Sequence, residues 1–580
     1  QQNITIGKLV IGNPVVADST KEYTISSGTG VNRLFFRAAT LGQMAYINVL
    51  TNAGTSGHSI SALIDISDGT PLTIVAAPTQ RLFLSGGIET NKSVIVVTGD
   101  VGAVSFSGNL IGTGLLLKES LGPLLITTTI KDFAGKIVLN SGSIDMSGTA
   151  GFPYCPEATI NGYVAYGGGS TIKQFGGALS TGNNASSANP GQRLPSNTII
   201  LNSGSLYNNG QMGLTNGSWA TEYVRDTVSV VRVNSGYSTY TQIAVTNTAG
   251  TILEIGTLAR TNNATLYARG VPFGVNTKLF FANYADYLKG GSGAPGSQTM
   301  SIIPWIGGRN DGGSTASPDG FATYIEGIGL RALTNSEYAS SITAGSTCNV
   351  SLATFSALAS DTTVNSLKLS GNTSTIGAGR VLTIASGGLM GGGVIGTPGA
   401  STAGTLNFGS AEGVIWTGYS TTGTNVIGAV ISGSRGVTKT NTGTLLFAGT
   451  NIYTGPTTVS AGLLVVGNAS YGSKLGNGNV YVSNGAKLEI ASTSVDAIAN
   501  SATVRLAHFG SFNGMMELAP GINETIRYLF LGDEGMPAST YGGTGSGATT
   551  ILPKYFSGTG ILNVTGNAAT LGGTTLIVIK

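Results

Sequence analysis

Chemistry in this sequence has to be assembled from few parts. Histidine occurs twice, at His58 and His508, and cysteine twice, at Cys155 and Cys348. A His/Cys metal centre needs ligands at short, paired spacings. These four residues are scattered, so no metal site is expected. Hydrolysis of a polysaccharide needs two carboxylates converging on one bond, and the chain holds no Asp-Asp pair. Asp65 and Asp68, in Ile64-Asp65-Ile66-Ser67-Asp68-Gly69, offer oxygens of the kind calcium takes, but no third acid follows and the segment reads as a turn. No G-x-S-x-G elbow stands between a strand and a helix. Gly543-Thr544-Gly545-Ser546-Gly547 lacks the following helix that a phosphate loop requires. No catalytic residue and no cofactor is therefore expected.

Recognition is the remaining chemistry. Residues 211–340 are the least repetitive and the richest in aromatics, with Trp219, Phe280, Phe281, Tyr284, Tyr287 and Trp305. Trp219, Tyr287 and Trp305 are candidates for a lateral or glycan contact, against the plainer reading that they fill a wide core. Nucleic acid is not expected as a partner, because 29 cations in 580 residues at a net charge of +3 make no dense basic field. No apolar run reaches the roughly 18 residues of a membrane-crossing helix. Cys155 and Cys348 fit either a disulfide in an oxidising compartment or two free thiols.

The elements that must carry any such contact read as strands throughout. Runs of four to seven residues such as Leu72-Thr73-Ile74-Val75, Val94-Ile95-Val96-Val97 and Leu463-Leu464-Val465-Val466 alternate with Gly/Ser/Asn punctuation. Glycine supplies 90 residues and charged residues only 9%, against about 25% in an ordinary soluble domain. Lysine and glutamate normally guard strand edges against pairing with other chains. Their scarcity implies few free edges, or edges used for assembly. One helical turn is expected at Asn335–Ser341, where Thr334-Asn335-Ser336-Glu337 has the pattern of a capping box.

The strands repeat, and the repeats point to the fold. Val138-Leu139-Asn140-Ser141-Gly142-Ser143-Ile144 returns as Ile200-Leu201-Asn202-Ser203-Gly204-Ser205-Leu206. A longer unit, Leu115-Leu116-Leu117-Lys118 followed by Gly122, returns as Gly436-Val437-Thr438-Lys439 followed by Gly443, with the same Lys-to-Gly spacing. One strand–turn–strand unit cannot bury its apolar row alone, whereas stacked copies can. The expectation is an all-β chain folded as a right-handed parallel β-helix, a solenoid with loop insertions. A single rod of this length would measure on the order of 100 Å or more. The division expected is an N-terminal solenoid over 1–150, a Gly/Ser/Asn-rich excursion over 151–195, an aromatic-richer, less regular region over 196–345, and a C-terminal solenoid over 346–580. The rival is a string of antiparallel sandwiches with tight hairpins, for which Asp68-Gly69 and Asn484-Gly485 are candidate turns.

A resemblance adds to this reading. Gly449-Thr450-Asn451-Ile452-Tyr453-Thr454-Gly455-Pro456-Thr457-Thr458-Val459-Ser460-Ala461-Gly462-Leu463-Leu464-Val465-Val466-Gly467 resembles the autotransporter-associated β-strand repeat, departing from it at Ile452 and Pro456. Lys439–Phe447 resembles the strand that leads into that repeat. The resemblance implies a bacterial passenger-type β-helix on or outside the cell. It brings no catalytic residue, because the repeat is structural. The membrane barrel of self-transporting proteins is not legible in 400–580, which carries on the Gly-rich pattern. The start, Gln1-Gln2-Asn3, reads as a secreted chain whose signal peptide has been removed.

The function expected is that of a non-catalytic extracellular structural protein, part of a fibre, surface layer or adhesive stalk. Its partner would be itself, with surface glycans second. Terminal strand edges would carry the assembly: Ile4, Ile6, Leu9 and Ile11 at one end, Leu576, Ile577, Val578 and Ile579 at the other. The alternative is a β-helix that binds or degrades polysaccharide.

Overall fold

A computed structural model describes residues 4–11, 23–27, 33–38, 43–50, 57–91, 94–98, 102–119, 121–146, 150–166, 172–176, 178–181, 193–208, 214–215, 218–219, 224–242, 251–270, 273–310, 318–371, 373–398, 403–417, 424–492 and 496–569. The short Val/Ile/Leu/Thr runs are strands. Helix among these residues amounts to two 3₁₀ turns, Tyr284–Asp286 and Asn335–Glu337. The second is the expected capping box, shortened: the Thr334 amide donates to Glu337 Oε2 at 2.7 Å.

The strands pair in rotation. Ile4–Ile6, Lys8–Ile11 and Thr24–Ile25 open three sheets. Arg33–Phe36, Ala45–Val49 and His58–Ile60 then add to each in turn, all in parallel. The result is all-β with long parallel sheets, an arrangement compatible with a β-helix. In the N-terminal half the sheets have five, twelve and thirteen strands. Period-2 alternation sends every second residue inward. One inward column of the twelve-stranded sheet runs Ile47, Ile74, Val97, Lys118, Leu139, Ile160 and Leu201, all fully buried. Glycine lets successive turns of chain approach. Gly112 has φ +115°, and a Cβ there would stand 1.5 Å from the Thr90 carbonyl oxygen. The tight hairpins of the sandwich alternative are absent at both candidate turns. Asp68-Gly69 leads from one parallel sheet to the next, and so does Asn484-Gly485.

Side chains tie neighbouring turns together as well. Asn140 donates to Glu119, Asn161 to Asn140, Asn202 to Asn161 and Asn234 to Asn202, at 2.6, 2.7, 2.8 and 2.8 Å. The two Asn-Ser-Gly-Ser segments, with Asn161 and Asn234, thus supply an amide ladder, each asparagine Oδ1 accepting from the next Nδ2.

Two cores form. The first gathers residues from Ile11 to Tyr338 without a break at 150 or 195, and the second those from Ala339 to Val564. Much of 151–195 lies outside the described residues; within it Glu157–Tyr166 and Ile172–Gly176 make an antiparallel hairpin.

The second half does not continue the axis of the first. It folds back along it. Asn484 Nδ2 donates to the carbonyls of Gly162 and Asn202. Ser235 Oγ meets the Tyr481 hydroxyl at 3.1 Å and Asn484 Oδ1 at 2.9 Å. Thr265 meets Thr440 at 2.5 Å. Arg260 grips Glu412 through two bonds of 2.6 and 2.9 Å. Trp416 Nε1 donates to the Pro304 carbonyl at 2.8 Å. As residue number rises on one side it falls on the other, so the halves lie antiparallel and side by side. The ten-stranded sheet of the second half is the shared wall. Its strand Gly413–Thr417 is buried at every position. Ile415 faces the second core while Val414 and Trp416 join the first. This differs from the single long rod expected. With strands about 4.8 Å apart, the twelve-stranded sheet spans only roughly 50 Å. The physical reason is that outward positions here carry Met390, Val414, Trp416, Thr438, Thr440, Thr458 and Ser460, all of them buried. Between Lys368 and Arg505, the charged residues further along the same outward columns, this stretch has no charge to keep it in water.

Trp416 is the largest side chain in this wall and packs edge-on against Tyr237 at 6.0 Å. Trp416→Ala is expected to cost about 3–5 kcal/mol. Urea unfolding followed by far-UV circular dichroism should then resolve two transitions, one for each half.

Candidate functional site

The segment around Lys439 shows what the conspicuous repeat is for. Val437–Thr440, Thr444–Phe447, Thr457–Val459 and Leu463–Val466 each add to a parallel sheet. Val437, Leu445, Phe447, Tyr453, Val459, Leu464 and Val466 fill the second core. Asn451 is fully buried. Its Oδ1 accepts from the Ile431 amide at 3.0 Å and its Nδ2 donates to the Lys474 carbonyl at 2.8 Å, so one side chain pins three turns. The Tyr453 hydroxyl meets Thr457 Oγ1 at 2.6 Å, and burial pushes its phenol up to about 12.

Lys439 itself stands in an inward column between Ile415 and Val459. Its Nζ donates to the carbonyls of Asn441, Gly443 and Ala461 at 2.6, 2.5 and 2.6 Å. These three acceptors match the three protons of an ammonium. Burial pushes the Lys439 ammonium well below the usual lysine range. Gly462 makes room for it: a Cβ at this position, where φ is +65°, would lie 2.4 Å from Nζ. Lys118, the counterpart in the first half, is equally buried and donates to the Glu119 carbonyl at 2.6 Å. Its ammonium is pushed down to about 8, chiefly by desolvation. The shared Lys-to-Gly spacing was legible in sequence; that both lysines are interior was not.

The residues proposed for assembly separate into two groups. Ile4, Ile6, Leu9 and Ile11 lie on the two short strands that open the five- and twelve-stranded sheets. Exposure falls along them, from Ile4 at 55% through the half-buried Ile6 and Leu9 to the buried Ile11. Leu576, Ile577, Val578 and Ile579 lie outside the described residues.

The aromatic candidates are not brought together as an open face. Trp305 is 4% exposed. The Arg260 guanidinium lies 5.2 Å from its ring centre and Tyr287 meets it edge-on at 5.2 Å. The Tyr287 hydroxyl donates to the Leu258 carbonyl at 2.6 Å. This is a packed cluster beside the Arg260–Glu412 clamp. Trp219 belongs to a two-strand hairpin with Leu214–Thr215; its side chain lies outside the description.

Carboxylates come into register in two places. Asp65 and Glu89 are neighbours in the five-stranded sheet, and Arg33 bonds to both. Asp68 pairs with Arg37 Nε at 2.8 Å. The Asp65–Asp68 turn is therefore neutralised by arginines. Glu489 and Glu517 are neighbours in the eight-stranded sheet, with Lys487 paired to Glu517. Burial, then Glu517, pushes the Glu489 carboxyl up. Among the described residues no three His, Cys, Asp or Glu side chains gather to hold a metal, and no helix is long and apolar enough to cross a membrane. Both cysteines are free thiols, and burial pushes Cys155 up to about 12.

Glu524 went unnoticed in sequence. It is 2% exposed and accepts from the amides of Ala497 and Ile498 at 3.1 and 2.9 Å. Burial pushes its carboxyl up to about 7. Nothing in Asn523-Glu524-Thr525-Ile526 distinguishes it from an exposed acid.

Residues 437–466 match the family described as the passenger-associated-transport-repeat, so a repeat of autotransporter passenger type is present. No curated protein and no solved structure matches the chain.

Two outcomes follow from these buried groups. Lys439→Met should cost about 2–4 kcal/mol, because the interior carbonyls of Asn441 and Ala461 lose their ammonium donor and Gly443 keeps only longer contacts from Leu463 and Thr417. Gly462→Ala should cost about 2 kcal/mol, through the same contact and the positive φ; urea midpoints measure both. Glu524 binds its proton more tightly folded, at about 7, than unfolded, at 4.5. Between those values the folded state holds the extra proton, so stability falls as pH rises, by roughly 3 kcal/mol in total. Glu524→Gln should remove that slope from a pH series of urea midpoints.

Proposed function

We propose that the protein is a non-catalytic extracellular structural protein. It is a right-handed parallel β-helix of passenger type that associates with itself, as a subunit of a fibre, surface layer or adhesive stalk. The right hand follows from the rule for parallel crossovers. The secreted or cell-surface setting is supported by the passenger-type repeat at 437–466. The non-catalytic reading is supported by the cations that neutralise Asp65, Glu89 and Glu517.

One observation carries the self-association. Ile4–Ile6, Lys8–Ile11 and Thr24–Ile25 are each the outermost strand of a sheet and pair on one side only among the described residues. Three adjacent free edges make a template for further strands. Ile4 and Val10 face outward beside them, 55% and 43% exposed. Chain reversal closes the far ends of the thirteen- and ten-stranded sheets and runs through a four-stranded sheet of the second half. Ile303–Arg309, Gly320–Ile325 and Gly329–Ala332 run antiparallel, as do Tyr528–Leu531 with Glu534–Gly535 and Ser539–Gly542 with Ile561–Val564. Edge against identical edge closes a pair. A fibre needs a second strand-forming element, and Leu576-Ile577-Val578-Ile579 is the segment the sequence offers. The polysaccharide-binding alternative is favoured by one separate feature, a polar recess in the second half.

Sedimentation velocity over a concentration series, with negative-stain imaging, tests the reading. Ile4→Lys with Val10→Lys should reduce association at least about tenfold, since edge charge opposes strand addition, and should leave the circular dichroism spectrum unchanged. A wild-type chain that stays monomeric at the highest concentration, or association untouched by the lysines, overturns it.

A further inference from the structure

The second half contains a recess whose polar groups the fold does not use. One of its two four-stranded sheets, which opens at Thr362–Val364, ends at Val430–Ser432. The following turns of chain have no third strand there and pass the same corner as loops, touching through a bridge of Thr450 to Lys474. Between them opens a cavity of ≈ 390 Å³ lined by Thr450, Lys474, Asn477, Asp496 and Asn500, with Ile498 in its floor. None of these five polar side chains makes a hydrogen bond or ion pair to another described residue. Lys474 and Asp496 face one recess without pairing. In a chain that is only 9% charged, where Arg33, Arg260 and Arg505 each hold a carboxylate, that is a departure.

The walls are fixed from behind. Asn451 holds the Lys474 carbonyl at 2.8 Å. Glu524 holds the amides of Ala497 and Ile498 at 3.1 and 2.9 Å. Two buried polar side chains therefore set the backbone that presents Lys474 and Asp496, and little ordering is left for a ligand to impose.

We propose that this recess binds a saccharide unit through adjacent hydroxyls. An ammonium only donates, a carboxylate only accepts, and an amide does both. The ligand group that answers all three at once is the hydroxyl, and neighbouring hydroxyls on a ring span such a set. An anion is opposed by Asp496 and a cation by Lys474. The volume lies at the small end of ligand pockets, which run from about 300 to 1,000 Å³. Ala499, half-buried in the same lining, offers apolar contact to ring carbons. The proposal stands apart from self-association through the N-terminal edge, and each can fail alone.

The test titrates the full chain with cellobiose, maltose, lactose and chitobiose, read by saturation-transfer NMR and calorimetry. At least one probe should bind saturably. Asp496→Asn and Lys474→Met should each weaken that probe by about tenfold or more. The thermal midpoint of Lys474→Met should stay unchanged, because that side chain bonds to no other described residue, and the circular dichroism spectrum of Asp496→Asn should match the wild type. Trp305→Phe, at the buried aromatic cluster, should leave binding unaltered. The proposal is overturned if no probe saturates or if both recess variants bind as the wild type does. It is also overturned if glycine, a zwitterion that would bridge Lys474 and Asp496, binds in place of the sugars.

Discussion

In a parallel stack each turn of chain satisfies its backbone hydrogen bonds on the turns before and after it, and most features of this protein follow from that constraint. A buried amide or carbonyl without a partner costs about as much as a lost hydrogen bond. Strands therefore stay in register over long distances, as in the column from Ile47 to Leu201. The turns cannot satisfy themselves in this way and recruit side chains: Asn451, Glu524 and the two interior lysines bond to backbone amides or carbonyls. The same constraint leaves Ile4–Ile6, Lys8–Ile11 and Thr24–Ile25 with a neighbour on one side only among the described residues.

The interior lysines show how strong the demand is. Lys118 lies between Val97 and Leu139, and Lys439 between Ile415 and Val459, where every neighbour along the column is aliphatic. Burying an ammonium is unfavourable by itself. Three carbonyls converging at 2.5–2.6 Å on Lys439 answer its charge and their own need for donors in one place. Gly462 is part of the same arrangement because no Cβ fits beside the nitrogen.

The low charge of the sequence has a structural cause. The outward face of the ten-stranded sheet rests on the first half through Thr, Ser, Asn and Trp side chains, with hydrogen bonds such as Thr265 to Thr440 and Ser235 to Asn484. Both faces of the strand Gly413–Thr417 are buried. Short hydroxyl and amide side chains allow close approach while still bonding across the wall; lysine or glutamate there would hold the halves apart. Where charge does occur it is answered across the wall: Arg260 meets Glu412, and Lys368 donates to the Asp319 carbonyl.

The sequence by itself determined the local content. The alternation of Val, Ile and Leu with Gly-rich turns yielded strands, the Asn-Ser-Gly-Ser and Lys-to-Gly repeats yielded stacking, and Thr334 to Glu337 yielded its capped turn. Those signals depend on neighbours a few residues apart or on identical copies, so they survive in one dimension. What only the tertiary structure decided is where the stack turns back. The contacts that fix this join residues as distant as Gly162 and Asn484, and no periodicity encodes such a pairing. In sequence Trp305 reads either as a surface contact or as core filling, because an aromatic in a Gly-rich segment looks the same whether water or Arg260 and Tyr287 lie beside it. Lys474 and Asp496 carried no mark at all. Their loops become neighbours only when the four-stranded sheet stops and successive turns of chain pass the same corner.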